Sequence, residues 1–126
     1  MYQTFVIACA LMLGVTGLVH SALGEKRLIQ PLMREQGGLL ASPRARRLIR
    51  FSWHLVSVMW GLLAAILLAL ALRPAAAAGI ALVATGALFT AIGVYDAIVS
   101  RGRHVGWPML TAIGLLALGA AIATPA

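Results

Sequence analysis

Four long apolar stretches, separated by charge clusters, prolines and glycines, leave this chain little choice of fold. Each runs for about 19 residues or more with at most one acidic group inside it, and a helix needs about 20 such residues to cross a hydrocarbon core. A soluble domain would need charged faces on helices of this length. With 62% hydrophobic and 10% charged residues among 126, the chain departs far from the soluble balance of roughly half apolar and a quarter charged. The expectation is an all-α integral membrane protein, a single antiparallel four-helix bundle covering 1–126. Its spans fall at about 5–23, 43–72, 75–100 and 105–123, with an amphipathic loop at 24–42.

The formal net charge of +7 points to lipid headgroups, not to nucleic acid, because the basic residues gather between apolar spans. Lys26, Arg27, Arg34, Arg44, Arg46, Arg47 and Arg50 lie between spans 1 and 2, and Arg101 and Arg103 between spans 3 and 4. Only Arg73 lies on the other side. The positive-inside bias therefore places these loops in the cytoplasm and both termini on the periplasmic side of an inner membrane. Met1-Tyr2-Gln3-Thr4 lacks the positive segment of a cleavable signal, so the first span is expected to be retained. Cys9 is the only cysteine and reads as a small buried hydrophobe.

Small residues recur at helical spacing. Ala10, Gly14, Gly17, Ser21 and Gly24 share one face of span 1, and Gly79, Gly86, Gly93 and Ser100 repeat every seven residues in span 3. Such seams let helices approach closely. Span 2 carries a stripe of Arg47, Arg50, His54, Ser57, Gly61, Ala65 and Leu68, with Ser42-Pro43 as its start signal. Trp53 and Trp60 are placed on another side of that helix, Trp53 as an interfacial anchor and Trp60 deeper against a neighbour. Leu28, Ile29, Leu32 and Met33 make 25–33 amphipathic, with Pro31 interrupting it. Gly17-x-x-His20-x-x-x-Gly24-x-x-Arg27 echoes Gly93-x-x-Asp96-x-x-x-Ser100-x-x-Arg103, a faint sign of a two-plus-two design.

The chemistry-bearing residues fall at one depth. His20 lies three residues before Leu23, His54 three after Phe51 and Asp96 three before Val99, each about 4.5 Å inside the same boundary. Glu25 and His104 lie just outside it. The spacing predicts a site of His20, His54, Asp96 and Glu25 that takes a metal ion, with zinc, iron and manganese as the candidates. Haem held axially by His20 and His54 is the variant. Arg47, Arg50 and Arg103 are the candidate headgroup or anion contacts. The structural alternative pairs Asp96 with Arg50, Arg103 or a histidine. Two other functions compete: a small oligomeric transporter or channel in which Asp96 and the histidines handle protons or ions, and an accessory subunit packed into a larger membrane complex. Metalloprotease, P-loop, serine-hydrolase and paired-thiol signatures are absent, and no catalytic residue is assigned.

The expected topology is open to direct test. A reporter active only in the periplasm should work at either terminus and fail when inserted near Gly37. Reversed activity would place the basic loops on the outside.

Overall fold

Proline and glycine mark most of the points at which the helices change. The computed structural model describes residues 1–35 and 37–123, and the elements there are all helical. Helix α1 (Tyr2–Gly24) runs through a π-helical turn (Glu25–Ile29) into α2 (Gln30–Arg34). A 3₁₀ turn (Gly38–Ala41) leads to α3 (Pro43–Leu72), and a second (Pro74–Ala76) leads to α4 (Ala77–Ser100). The last helix, α5, covers Gly106–Ala123. Gln36, within the expected loop, and residues 124–126, at the C-terminus assigned to the periplasm, lie outside the described residues.

The chain differs most from expectation at 24–42, where the first helix continues to Arg34 instead of ending at a loop. Pro31 lacks an N–H, and in a regular α-helix its ring would crowd the carbonyl of Arg27. The wider turn just before it absorbs this misfit: the N–H of Gln30 bonds to the carbonyl of Glu25, five residues back, so the helix swells without stopping. Pro31 then sits in the first turn of α2, where a missing donor costs little. Ile29, the last residue of the turn, is fully buried at 1% exposure.

The other punctuation follows the sequence. Ser42 accepts from the N–H of Ala45 at 3.5 Å, a weak cap, with Pro43 as the first helical residue. Arg73 precedes a proline and leaves the helical region (φ −140, ψ 58), ending α3. At the end of α4, Arg101 (φ 53) and Gly102 (φ 71) turn left-handed. The Gly102 N–H returns to the Ala97 carbonyl at 2.8 Å, the six-to-one bond of a Schellman end. Trp107 Nε1 donates to the Gly102 carbonyl at 3.2 Å and fastens the loop to the start of α5.

Among the described residues four helical segments are long and apolar enough to cross a membrane: Tyr2–Arg34, Pro43–Leu72, Pro74–Ser100 and Gly106–Ala123. Large apolar side chains such as Leu18, Leu116 and Ile122 remain exposed, which suits helices whose outer faces meet lipid. The chain is a multi-pass membrane protein built as two compact units, Met1–Leu68 and Ala69–Ala126. The first pairs α1 with α3, and the second pairs α4 with α5.

Both pairs are antiparallel and close at glycine, though not at every glycine of the expected seams. In the second unit Gly86 meets Leu118, Thr90 meets Gly114 and Gly93 meets Thr111, one number falling as the other rises. A Cβ at Gly86 would lie 2.6 Å from Leu118 Cγ and 3.0 Å from the Gly114 carbonyl oxygen; one at Gly93 would lie 2.6 Å from the Thr111 backbone nitrogen. In the first unit Gly17 faces the Ser57 carbonyl and Gly24 lies under the Trp53 ring. Gly14, Gly61 and Gly79 have nothing within 4 Å of a built Cβ. Gly14 and Gly79 fall where their helices present those positions to open space.

This contrast yields a paired prediction. Gly93→Ala should destabilise the α4–α5 pair by roughly 1–3 kcal/mol, because a methyl there must displace backbone. Gly79→Ala should be neutral or slightly stabilising, since alanine is the better helix former. Thermal unfolding in one detergent reads both; equal effects would show that Gly93 does not face α5.

Candidate functional site

On a continuous helix, residues four apart stand one above the other, so Ser21 and Glu25 share a face. The π-turn keeps Glu25 on the same rod as α1. Opposite them α3 presents Arg50, Trp53, His54, Ser57 and Trp60, whose spacings of three and four place them along one side.

One imidazole is bracketed by this arrangement. His54 Nδ1 lies 2.7 Å from Ser21 Oγ, and its Nε2 lies 3.0 Å from Glu25 Oε2. The second partner of Glu25 is Arg50, whose Nε donates to Oε2 at 3.2 Å and whose Nη2 donates to Oε1. The carboxylate is thus gripped by a guanidinium fork and an imidazole, a strong form of charge-assisted hydrogen bonding. Glu25 is 14% exposed and Arg50 52%, so solvent screening holds this pair to about 1 kcal/mol or less. Its larger effect is to supply countercharge and fix the direction of the carboxylate. A carboxylate paired this way can only accept, which puts a proton on Nε2 of His54. In the neutral ring Nδ1 then accepts from the Ser21 hydroxyl.

His20 stands one position round the helix and does something different. Its Nδ1 lies 3.0 Å from Ser57 Oγ, its ring stacks on Trp53 with centroids 4.3 Å apart and planes 11° apart, and Trp60 tilts against it at 5.3 Å. Trp53 Nε1 donates to the His20 carbonyl at 3.3 Å. Trp53 therefore sits in the contact between α1 and α3, not on a separate side as an interfacial anchor. Gly24 makes room for its ring, and that is what turns the indole inward.

In the second unit Asp96 accepts from His104 Nδ1 at 2.6 Å, with the carboxylate 13% and the imidazole 45% exposed. Gly106 gives His104 the space to reach it: a Cβ there would lie 2.8 Å from His104 Cε1. Of the partners considered for Asp96, the one bonded to it within the second unit is a histidine, the near neighbour His104.

Of the four residues expected to share one site, three lie in the first unit and Asp96 lies in the second. Glu25 and His54 are bonded to each other, His20 is engaged by Ser57 and two indoles, and Asp96 is held by His104. Among the described residues no three His, Cys, Asp or Glu side chains gather as a metal-ligand group. Of the anion candidates, Arg50 is committed to Glu25, while Arg47 and Arg103 are exposed. Sequence reasoning passed over Ser21 and Ser57 as hydrogen-bond partners, counting them as small packing residues. Their offsets of three or four from Glu25, His54 and Gly61 were the available signal. No family model matches the chain, and neither a curated protein nor a solved structure is significantly similar to it.

The bracketing predicts coupling. A double-mutant cycle of Glu25→Gln with His54→Asn should give an interaction energy above about 0.5 kcal/mol, the level expected for residues in one network. Replacing the His54 arm by Arg44→Gln, an exposed residue at the start of α3, should give additive effects. Additivity in both cycles would mean that the His54–Glu25 bond carries no energy.

Proposed function

We propose that this is a small multi-pass inner-membrane protein that handles protons, with His54 as the exchanging group and Glu25 as its carboxylate partner. The observation that supports it most is the continuous chain Ser21–His54–Glu25, in which each ring nitrogen of one imidazole has its own partner on the facing helix. Histidine is the side chain whose ordinary titration falls near neutrality. Ionisable groups set into membrane helices are candidates for proton relays.

The chemistry balances simply. A proton taken up at Nδ1 of neutral His54 gives an imidazolium that faces the Glu25 carboxylate. Loss of the other proton from Nε2 to that carboxylate restores a neutral ring in the opposite tautomer. Once Glu25 has passed the proton on, the ring turns; uptake of a second proton at Nε2 and release of the one on Nδ1 restore the first tautomer, and the ring turns back. Ser21, whose hydroxyl is both donor and acceptor, turns to suit each tautomer. Each unit carries one carboxylate–imidazole pair, and Asp96 with His104 forms the second.

The basic ends of the helices support an orientation with Glu25 and Asp96 toward the cytoplasm and both termini toward the periplasm. Anionic headgroups would then meet the exposed arginines, Arg103 among them. A metal at His54 is less well supported, since either ring nitrogen would have to give up its present partner before it could ligate. Haem held by His20 and His54 would likewise require His20 to leave its stack on Trp53.

Proton flux decides the matter. Protein reconstituted into liposomes with an internal pH dye should dissipate an imposed pH gradient faster than protein-free liposomes, and His54→Gln and Glu25→Gln should each return the rate to the protein-free leak. Wild-type flux equal to that leak, with or without added metal ions, would overturn the proposal.

A further inference from the structure

Three guanidiniums line one open cleft. Arg46, Arg47 and Arg50 from the first turns of α3, with Met33 of α2 and Pro43 as apolar walls, enclose about 370 Å³. Like charges brought together repel unless something counters them, and the three are countered unequally. Arg50 is held by Glu25. Arg46 donates Nη1 to the neutral carbonyl of Leu40 at 2.7 Å, which positions its side chain without cancelling its charge. Arg47 is exposed and makes no hydrogen bond or ion pair with any described residue. Among the described residues, therefore, two guanidinium charges of the cleft have no carboxylate partner, Arg46 being held in place by Leu40 and Arg47 by none.

We propose that this cleft binds a phosphate group carried on an amphiphile, the phosphate of an anionic membrane lipid, independently of any proton chemistry at His54. A guanidinium presents donors in a planar fork that matches phosphate oxygens, which an ammonium does not. Arg47 and Arg46 are the residues placed to grip it, with Arg50 adding charge from its post on Glu25. Met33 and Pro43 give the cleft an apolar wall suited to a glycerol backbone and the first acyl carbons. Leu39 in the 3₁₀ turn and Leu48 in α3 are also exposed, at 74% and 49%. A membrane-spanning chain with a basic loop holds such a cleft where lipid phosphates are most concentrated.

Native mass spectrometry of the full chain, released from nanodiscs of phosphatidylcholine with a minority of phosphatidylglycerol, tests this. Wild type should retain one phosphatidylglycerol in preference to the abundant neutral lipid. Arg47→Gln should lower that retention about tenfold, the effect of losing one hydrogen bond to a charged group, while Arg47→Lys should fall between the two. Arg73→Gln, which removes the same charge outside the cleft, should retain lipid as wild type does, and equal helical circular dichroism checks that all variants are folded. Inorganic phosphate added before release distinguishes the source of the ligand: persistence of the lipid is the expected result, and displacement at millimolar phosphate would overturn the lipid assignment in favour of a free anion. Retention by Arg47→Gln equal to wild type, or equal loss from Arg73→Gln, would overturn the site itself and leave only diffuse attraction to negative lipid.

Discussion

Glu25 is a carboxylate on a membrane-length helix, one residue beyond the last turn of α1, and much of the first unit is arranged to keep it partnered. A charged group near an apolar layer is tolerated when it is paired and hydrogen-bonded. Both of its partners come from α3, one guanidinium and one imidazole. For that to happen α1 must reach Glu25 as a helix, and α3 must approach closely enough for Arg50 and His54 to meet it. The π-turn meets the first requirement by absorbing Pro31. Gly17 and Gly24 meet the second by giving up side-chain volume where Ser57 and Trp53 press against α1. Packing and chemistry are thus one problem in this unit: the glycines that close the helices also set the reach of the polar groups.

The second unit solves the packing problem more fully and the polar one more locally. Gly86, Gly93 and Gly114 bring α4 and α5 to backbone contact. In lipid, where apolar side chains gain nothing by leaving water, such contact is a main source of helix association. Asp96 is satisfied by His104 across the short connection after α4, with the left-handed Arg101 and Gly102 reversing the chain. The carboxylate of each unit is paired with an imidazole, but the first pair bridges two long helices and the second spans a tight loop.

The architecture was legible because its signals are gross and physical: apolar runs of membrane length, charge gathered between them, and Ser42-Pro43 or Arg73-Pro74 at the joints. The run from α1 into α2 was not, because Pro31 ordinarily argues against a regular helix and nothing in one sequence announces a π-turn that accommodates it. The sequence grouped Glu25 with His54 but left it in a loop, and the helix face from which it bonds His54 is what the structure adds. Measuring depth from span ends put His20, His54 and Asp96 in one layer, but depth says nothing of rotation. His20 and Ser21 are adjacent in sequence and about 100° apart on the helix, and it is Ser21, not His20, that meets His54. Trp53 shows the same limit: its position along the helix suits an interfacial ring, whereas the space over Gly24 turns it inward. Of the glycine seams, the positions backed by a facing helix were real contacts and Gly14 and Gly79 were not, a distinction that requires knowing which helix lies opposite.

One imidazole links the two helices through both of its nitrogens. Nitrogen-15 resonance of His54, in protein held in lipid at neutral pH, measures this most directly, because it reports which ring nitrogen carries a proton and whether the other accepts a hydrogen bond. The structure predicts a protonated Nε2 whose signal shifts when Glu25 is replaced by Gln, and an Nδ1 whose signal shifts when Ser21 is replaced by Ala. A bare Nε2, or ring signals indifferent to both substitutions, would contradict it.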